Sequence, residues 1–236
     1  TVLRPVSDQP VLEVEVQDVL DDGRRLVRLR TDDVAGALEA HGEVPLPPYI
    51  TEELGDPERY QTVYAEQPGS VAAPTAGLHL TPAVLDGIRA AGAEVVGVDL
   101  WVGLGTFRPI SVERVEDHEM HTERYHVPDE TWAACERAGR VVAVGTTTVR
   151  ALESVAALGA RTGRTDLFLH PGREPQVVDV LLTNFHLPRS SLLVLVEAFA
   201  GPHWRDLYAT ALAEGYRFLS FGDCMLLGRD GRGVAA

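Results

Sequence analysis

Apolar and polar positions alternate between Val11 and Arg30. Leu12, Val14 and Val16 fall on one side and Glu13, Glu15 and Gln17 on the other, and Asp21-Asp22-Gly23 supplies a turn before Leu26 to Leu29 returns. A period of two broken by such a turn predicts a β-hairpin. Two strands alone are marginal in water. Residues 1–40 are therefore expected to form part of a small β domain, the remnant of a barrel-like unit whose beginning is missing, with no natural partner for the hairpin elsewhere in the chain. A short helix is predicted from Asp33 to Ala40, stopping at His41-Gly42. A long Pro-rich connection follows from Pro45 to Gly69, of a length that is usually functional or ordered by a partner.

Beyond Val71, short apolar runs alternate with helical patterns. Thr81-Pro82 reads as a helix cap followed by Pro at the first helical position, with a stop at Gly92. Strands are expected at Glu94–Val102, Val141–Val144, Asp166–Leu169, Val177–Leu182 and Arg217–Leu227. Helices are expected from Pro128-Asp129 to near Gly139, from the Gly145 turn through Leu158, from Ser190-Ser191 to Ala200 and from His203 to Glu214. Such alternation predicts the α/β class, a mixed sheet with helices on both faces. The expected organisation is part of a β domain over 1–40, an α/β catalytic domain over 41–227 and a flexible tail over 228–236.

Charge changes this picture in one respect. The 236 residues hold 21 basic and 35 acidic side chains, a formal net charge of −14. That excludes a basic nucleic-acid-binding domain of the usual kind and a polybasic membrane binder. The balance is segregated: residues 1–60 carry 6 basic and 14 acidic groups, 61–140 carry 6 and 12, and 141–236 carry 9 and 9. Every basic residue is Arg, so an anion-binding face is expected from the last third. No apolar run approaches the roughly 18–20 residues of a membrane span, and no signal peptide is visible, so a cytoplasmic location without membrane contact is expected. Cys135 and Cys224 make no disulfide framework and read as small buried thiols.

Several short stretches carry chemistry. Pro74-Thr75-Ala76-Gly77-Leu78-His79 joins small residues, which let backbone approach a ligand, to a proton-shuttling His. Gly103 to Pro109, with Thr106 and Arg108, is a weak dinucleotide signal and a better anion-facing loop. Asp117 to Glu123 places His118 and His121 among carboxylates; proton transfer, metal ligation and a solvated acidic face all remain open there. Val144 to Glu153 runs from a buried strand through Gly145, Thr146, Thr147 and Thr148 into a helix, leaving backbone N–H groups for an anion with Arg150 beside them. Asn184, Phe185 and His186 share one loop suited to stacking and hydrogen-bonding a ring substrate. Asp223, in an apolar terminal run, needs a partner.

Taken as an ordered set, PTAGLH at 74–79, VGLGTFRP at 102–109, HEMHTERYHV at 118–127, VGTTTVRALES at 144–154, TDLFLHPG at 165–172, VVDVLLTNFHLPRSSLLVLVEAFAG at 177–201 and YRFLSFGDCMLL at 216–227 resemble the S-adenosylmethionine:tRNA ribosyltransferase-isomerases of queuosine biosynthesis. VPLPPYI at 44–50 and RYQTVYA at 59–65 fit the same pattern. The resemblance departs at Trp101, where the family usually has His, at Leu80, where Phe is usual, and at Glu197, where Ser is usual. It also implies an N-terminal region, bearing an Asn-Asp-Thr-Arg stretch, that this chain lacks.

The resemblance implies transfer of the ribosyl portion of S-adenosylmethionine, a co-substrate, to the aminomethyl arm of a 7-deazaguanine in tRNA, giving epoxyqueuosine with loss of adenine and methionine. No metal and no prosthetic group are implied. A proton beside the sulfonium is removed first, adenine leaves, the amine attacks, and ring closure expels methionine. His79, His118 and His121 are the expected proton-transfer groups, with Glu123 orienting one of them. Thr75, Gly77, Thr106, Arg108, Thr146, Thr147, Arg150 and Asp223 are expected to hold substrate, and Asn184, Phe185 and His186 to contact a base ring. The tRNA partner is expected to present its anticodon loop to the Arg-bearing C-terminal part. Competing expectations are ribosyl transfer to a free small acceptor, a non-catalytic fragment, and a metal hydrolase built on the His/Glu cluster.

Overall fold

The computed structural model describes residues 2–3, 12–20, 24–43, 45–52, 54–67, 69–70, 72–103, 110, 112–173 and 175–229. By its contacts the chain divides into two units, Thr1–Pro45 and Leu46–Ala236.

In the first unit, β1 (Val2–Leu3), β2 (Glu13–Val19) and β3 (Arg25–Arg30) form an antiparallel sheet in that order. Val14 pairs with Leu29 and Val16 with Val27, as the alternation predicts, and the register shifts between Val16 and Asp18. The hairpin's missing partner comes from within the chain: β1 adds to β2 through Val2↔Glu15 and Leu3↔Val14. The expected turn at 21–23 lies outside the described residues. Helix α1 (Val34–His41) starts where the Asp33 carboxylate accepts the Gly36 N–H at 2.9 Å and stops where Gly42 N–H returns to Leu38 O at 2.7 Å.

The second unit runs α2 (Pro82–Ala90), β4 (Asp99–Trp101), β5 (Glu123–His126), α3 (Asp129–Arg137), β6 (Val142–Val144), α4 (Thr146–Leu158), β7 (Thr162–Thr165), β8 (Val180–Asn184), α5 (Ser191–Ala200), α6 (Trp204–Ala213) and β9 (Cys224–Gly228). The class is mixed α/β, with the strands divided between two sheets. β4-β5-β7 is antiparallel, whereas β8 lies parallel to β6 and antiparallel to β9. Helix α4 packs against β4 of one sheet and against β6 and β8 of the other. Its Val149, Ala151, Leu152 and Val155 join Tyr125, Val127, Ala143, Leu181, Val196 and Phe199 in one core. Burying side chains of this size contributes about 1.5–3 kcal/mol each.

Local signals explain the helix starts. Thr81 Oγ1 accepts Val84 N–H and Ser190 Oγ accepts Leu193 N–H, as expected of caps. The expected strand Glu94–Val102 shortens to Asp99–Trp101, and three other strand expectations change because side chains capture the backbone. The fully buried Glu153 carboxylate accepts the N–H groups of Gln176, Val177 and Val178 at 2.7, 2.9 and 3.0 Å, so β8 begins only at Val180. Leu167 gives its N–H to Thr165 Oγ1 and its carbonyl to Arg150, so 166–169 is not a strand despite burying Leu167, Phe168 and Leu169. Between 217 and 223, Asp223 accepts Arg217 N–H and returns its own N–H to Arg217 O, both at 2.7 Å, closing a loop ahead of β9. Gly222 is required there, since a Cβ would overlap the Arg217 and Phe218 carbonyls.

The Pro-rich connection is ordered by the chain itself. Tyr49 OH meets Ser220 Oγ at 2.7 Å, and Tyr60, 3% exposed, packs edge-on against Phe221. Both cysteines are free and half-buried rather than fully buried. Among the described residues no helix is long and apolar enough to cross a membrane. The proposed tail lies outside them from residue 230 onward.

Candidate active site

Strands β6 and β8 are parallel and end side by side, Val144 paired with Leu182. Carboxyl ends of parallel strands are where open α/β sheets bind ligands. After β6 the chain turns at Gly145, whose φ of 89° favours glycine, and enters α4 at Thr146 with no side-chain cap. After β8 it delivers Asn184. The 3-10 turn Thr75–His79 docks on both, with Ala76 against Gly145 and the turn packed on β8.

That docking joins residues far apart in sequence. Asn184, 4% exposed, donates from Nδ2 to Thr75 Oγ1 at 3.0 Å and accepts from His79 Nε2 on Oδ1 at 3.1 Å. With the amide nitrogen toward Thr75, its oxygen faces His79 Nε2. In that arrangement Nε2 is the donor and Nδ1 is the ring atom left to act as a base. Gly77 is needed because a Cβ there would overlap the Tyr64 hydroxyl. Beside this turn lies a cleft of about 210 Å³, walled by Tyr64, Ser70, Pro74, Trp101, Thr147 and Thr148 among others. Thr75, Gly77, His79, Thr146, Thr147 and Asn184 thus gather at one end of the sheet.

A second group sits one helical turn along α4. Arg150 pairs with Glu123 through Nη1 and donates from Nε to Leu167 O at 3.3 Å. Glu123 also meets His121 Nε2 at 3.1 Å. The Glu123 and Arg150 side chains are 1% and 9% exposed, so the pair is buried. His118 packs edge-on against Phe168, and burial followed by the neighbouring His121 holds it below the usual imidazole range. Asp117 and Glu119 are exposed, so that part of the acidic stretch is a solvated face. Arg150 answers the buried Glu123 carboxylate through Nη1, while its buried Nη2 has no hydrogen-bond partner among the described residues, so the expected anion-facing role is left to Nη2. Among the described residues no three His, Cys, Asp or Glu side chains converge to hold a metal ion.

Among the described residues Thr147 is the expected site residue that lines the cleft, and three of the others are engaged elsewhere. Phe185 is 4% exposed and packs against Tyr208, Tyr216 and Phe218, so no face of its ring is open to a base. His186 bonds Thr183 Oγ1 at 3.0 Å, and burial pushes its imidazole down to about 4, so it is a neutral core residue. Asp223 closes the 217–223 loop with both of its bonds to Arg217. These three side chains are engaged by neighbours within the fold: aromatic rings at Phe185, the Thr183 hydroxyl at His186 and the Arg217 backbone at Asp223. Thr106 and Arg108 lie outside the described residues. Sequence reasoning did not place Tyr64, Trp101 and Thr148 in the cleft, although their stretches had been singled out.

The chain is similar to known proteins. A family model described as Queuosine biosynthesis protein matches residues 2–227. An S-adenosylmethionine:tRNA ribosyltransferase-isomerase of Rubrobacter xylanophilus is 55% identical over 231 residues, 98% of this chain and 69% of that protein. One from Natranaerobius thermophilus is 51% identical over 232 residues, 93% of this chain and 67% of that protein. The crystal structure of S-adenosylmethionine tRNA ribosyltransferase from Thermotoga maritima is 34% identical with a TM-score of 0.54, covering 92% of this chain and 62% of that one. The chain spans about two thirds of the length of these relatives. With the match running through both units and both residue groups, the chain belongs to the queuosine biosynthesis protein family.

Proposed function

We propose that this chain transfers the ribosyl moiety of S-adenosylmethionine to the aminomethyl group of 7-aminomethyl-7-deazaguanine in tRNA and isomerises it, giving epoxyqueuosine with release of adenine and methionine. The observation that carries the reading is the Thr75–Asn184–His79 chain at the carboxyl ends of β6 and β8, on a turn that begins at the cleft wall. The positive sulfur acidifies the adjacent C–H, and His79 Nδ1 is the base for it. His121, oriented by Glu123, supplies the proton that departing adenine needs, and His118 stands beside it in its neutral form. The uncapped start of α4, with Thr146 and Thr147, suits the methionine carboxylate.

Residues 41–227 form the catalytic domain in this reading and 1–40 part of a small β domain; the expected tail over 228–236 loses Gly228 to β9 and Arg229 to its bonds with Asp179. The tRNA anticodon loop lies along the Arg-bearing C-terminal part, where Arg161 and Arg164 are exposed. The enzyme works in the cytoplasm. The test is adenine release, followed by chromatography, from S-adenosylmethionine incubated with the chain and either precursor-containing tRNA or the free base. Release that requires the tRNA is expected. Release with the free base alone overturns the acceptor, and release with neither overturns the activity.

A further inference from the structure

We propose that Trp101 is a stacking platform for a purine-type base in the 210 Å³ cleft. Of the chain's 3 tryptophans, Trp132 and Trp204 pack on the core and Trp101 does not. Trp101 instead lines the cleft, half-buried, at the end of β4. Its ring is held from two directions. Arg124, its partner across the β4–β5 ladder, lays its guanidinium over the indole 4.7 Å from the centroid. Gly69, at φ 121°, brings main chain so close that a Cβ would stand 3.1 Å from the indole Cδ1. Arg124 covers one face and is absent from the cleft lining, so the part of the ring that lines the cleft is what a flat ligand would meet.

Two other groups that line the cleft suit that ligand's edge. Gln61 Oε1 accepts Thr62 N–H at 2.9 Å, so its NH2 remains to donate. Thr148 spends its proton on Val144 O at 2.8 Å, so its lone pairs remain to accept. A donor and an acceptor in a cleft with an aromatic wall suit the amidine or amide edge of a purine-type heterocycle. Two sources share that chemistry under the reading above, on which this inference rests: the adenine of S-adenosylmethionine and the 7-deazaguanine of the acceptor.

The test is binding rather than turnover. The chain is titrated with adenosine and, separately, with free 7-aminomethyl-7-deazaguanine, and both intrinsic fluorescence and equilibrium dialysis are read. One of the two is expected to quench, and which one does so identifies the source. Trp101→Phe should bind within about threefold of wild type yet lose the quenching, because a ring still stacks but the reporter is gone. Trp101→Ser should bind about 5- to 100-fold more weakly. Binding of neither base, unchanged quenching in Trp101→Phe, or wild-type affinity in Trp101→Ser overturns the proposal. Trp101→Phe decides it alone should the Ser variant fail to fold. Quenching without adenine release would sink the proposed activity and leave the platform standing.

Discussion

Arg150→Met removes the guanidinium and keeps most of the side chain's length. In the native chain Arg150 answers the Glu123 carboxylate, and the two side chains are 9% and 1% exposed. The variant leaves that carboxylate buried with His121 at 3.1 Å among its remaining contacts. Breaking a buried pair from one side costs about 3–5 kcal/mol, because the orphaned charge keeps its desolvation penalty. Arg137 and Glu94 supply the control. They approach to 2.6 Å but are 57% and 56% exposed, and exposed pairs contribute about 0–1 kcal/mol. Urea unfolding followed by tryptophan fluorescence, which Trp132 and Trp204 report from the core edge, should show a lower midpoint at constant slope for Arg150→Met. Adding Glu123→Gln should recover about 2 kcal/mol. A loss no larger than that of Arg137→Met, or a double variant as unstable as the sum of the singles, would refute the reasoning.

His79→Ala should lower adenine release by about 100- to 10,000-fold while costing about 1–3 kcal/mol in stability for the orphaned Asn184 amide, so that the variant stays folded; a near-wild-type rate removes it as the base. Gly77→Ala forces the 74–79 turn away from Tyr64 and should cost about 100-fold in the same assay, with partial return in Gly77→Ala/Tyr64→Phe. No return would mean that the hydroxyl is not the obstacle. Burial depresses His186 to about 4, so the unfolded chain takes up its proton first. That contribution is intact above about pH 6.5 and is lost as pH falls to about 4, by about 3 kcal/mol. Urea midpoints at neutral and acidic pH should therefore diverge less in His186→Gln than in wild type, and equal divergence contradicts the burial argument. Arg161→Glu with Arg164→Glu should weaken tRNA binding and flatten its salt dependence by about one to two in log–log slope; filter binding that ignores both charge and salt would remove this face from the tRNA path.

Helices were legible where their chemistry is local. Thr81, Pro82 and Ser190 announce helix starts within three residues of themselves, and the observed helices begin there. Strands were less legible because their amides were claimed from a distance. Glu153 takes three of them from 23 to 25 residues away, and no alternation pattern near Val177 could announce it. The candidate site divides in the same manner. His79 and Asn184 each stood out within a short motif, although they meet across 105 residues. Phe185 stood out equally and belongs to the core, since Tyr208, Tyr216 and Phe218 arrive from later elements. Trp101 was visible only as a departure from the family pattern, and its meaning required Gly69 and Arg124 in space.

Helix α4 carries both residue groups, Thr147 at the cleft and Arg150 in the buried pair. Three residues separate them, which a helix converts into about 4.5 Å of advance and about 300° of rotation. The spacing therefore behaves as a mechanical gauge, with no slack for a loop to absorb. A single residue inserted between them would swing Arg150 by about 100° and strand Glu123 even though every side chain survived. Length in this segment is under the same constraint as composition: point changes here have graded effects, whereas any insertion or deletion between Thr147 and Arg150 breaks the link between the cleft and the buried pair at once.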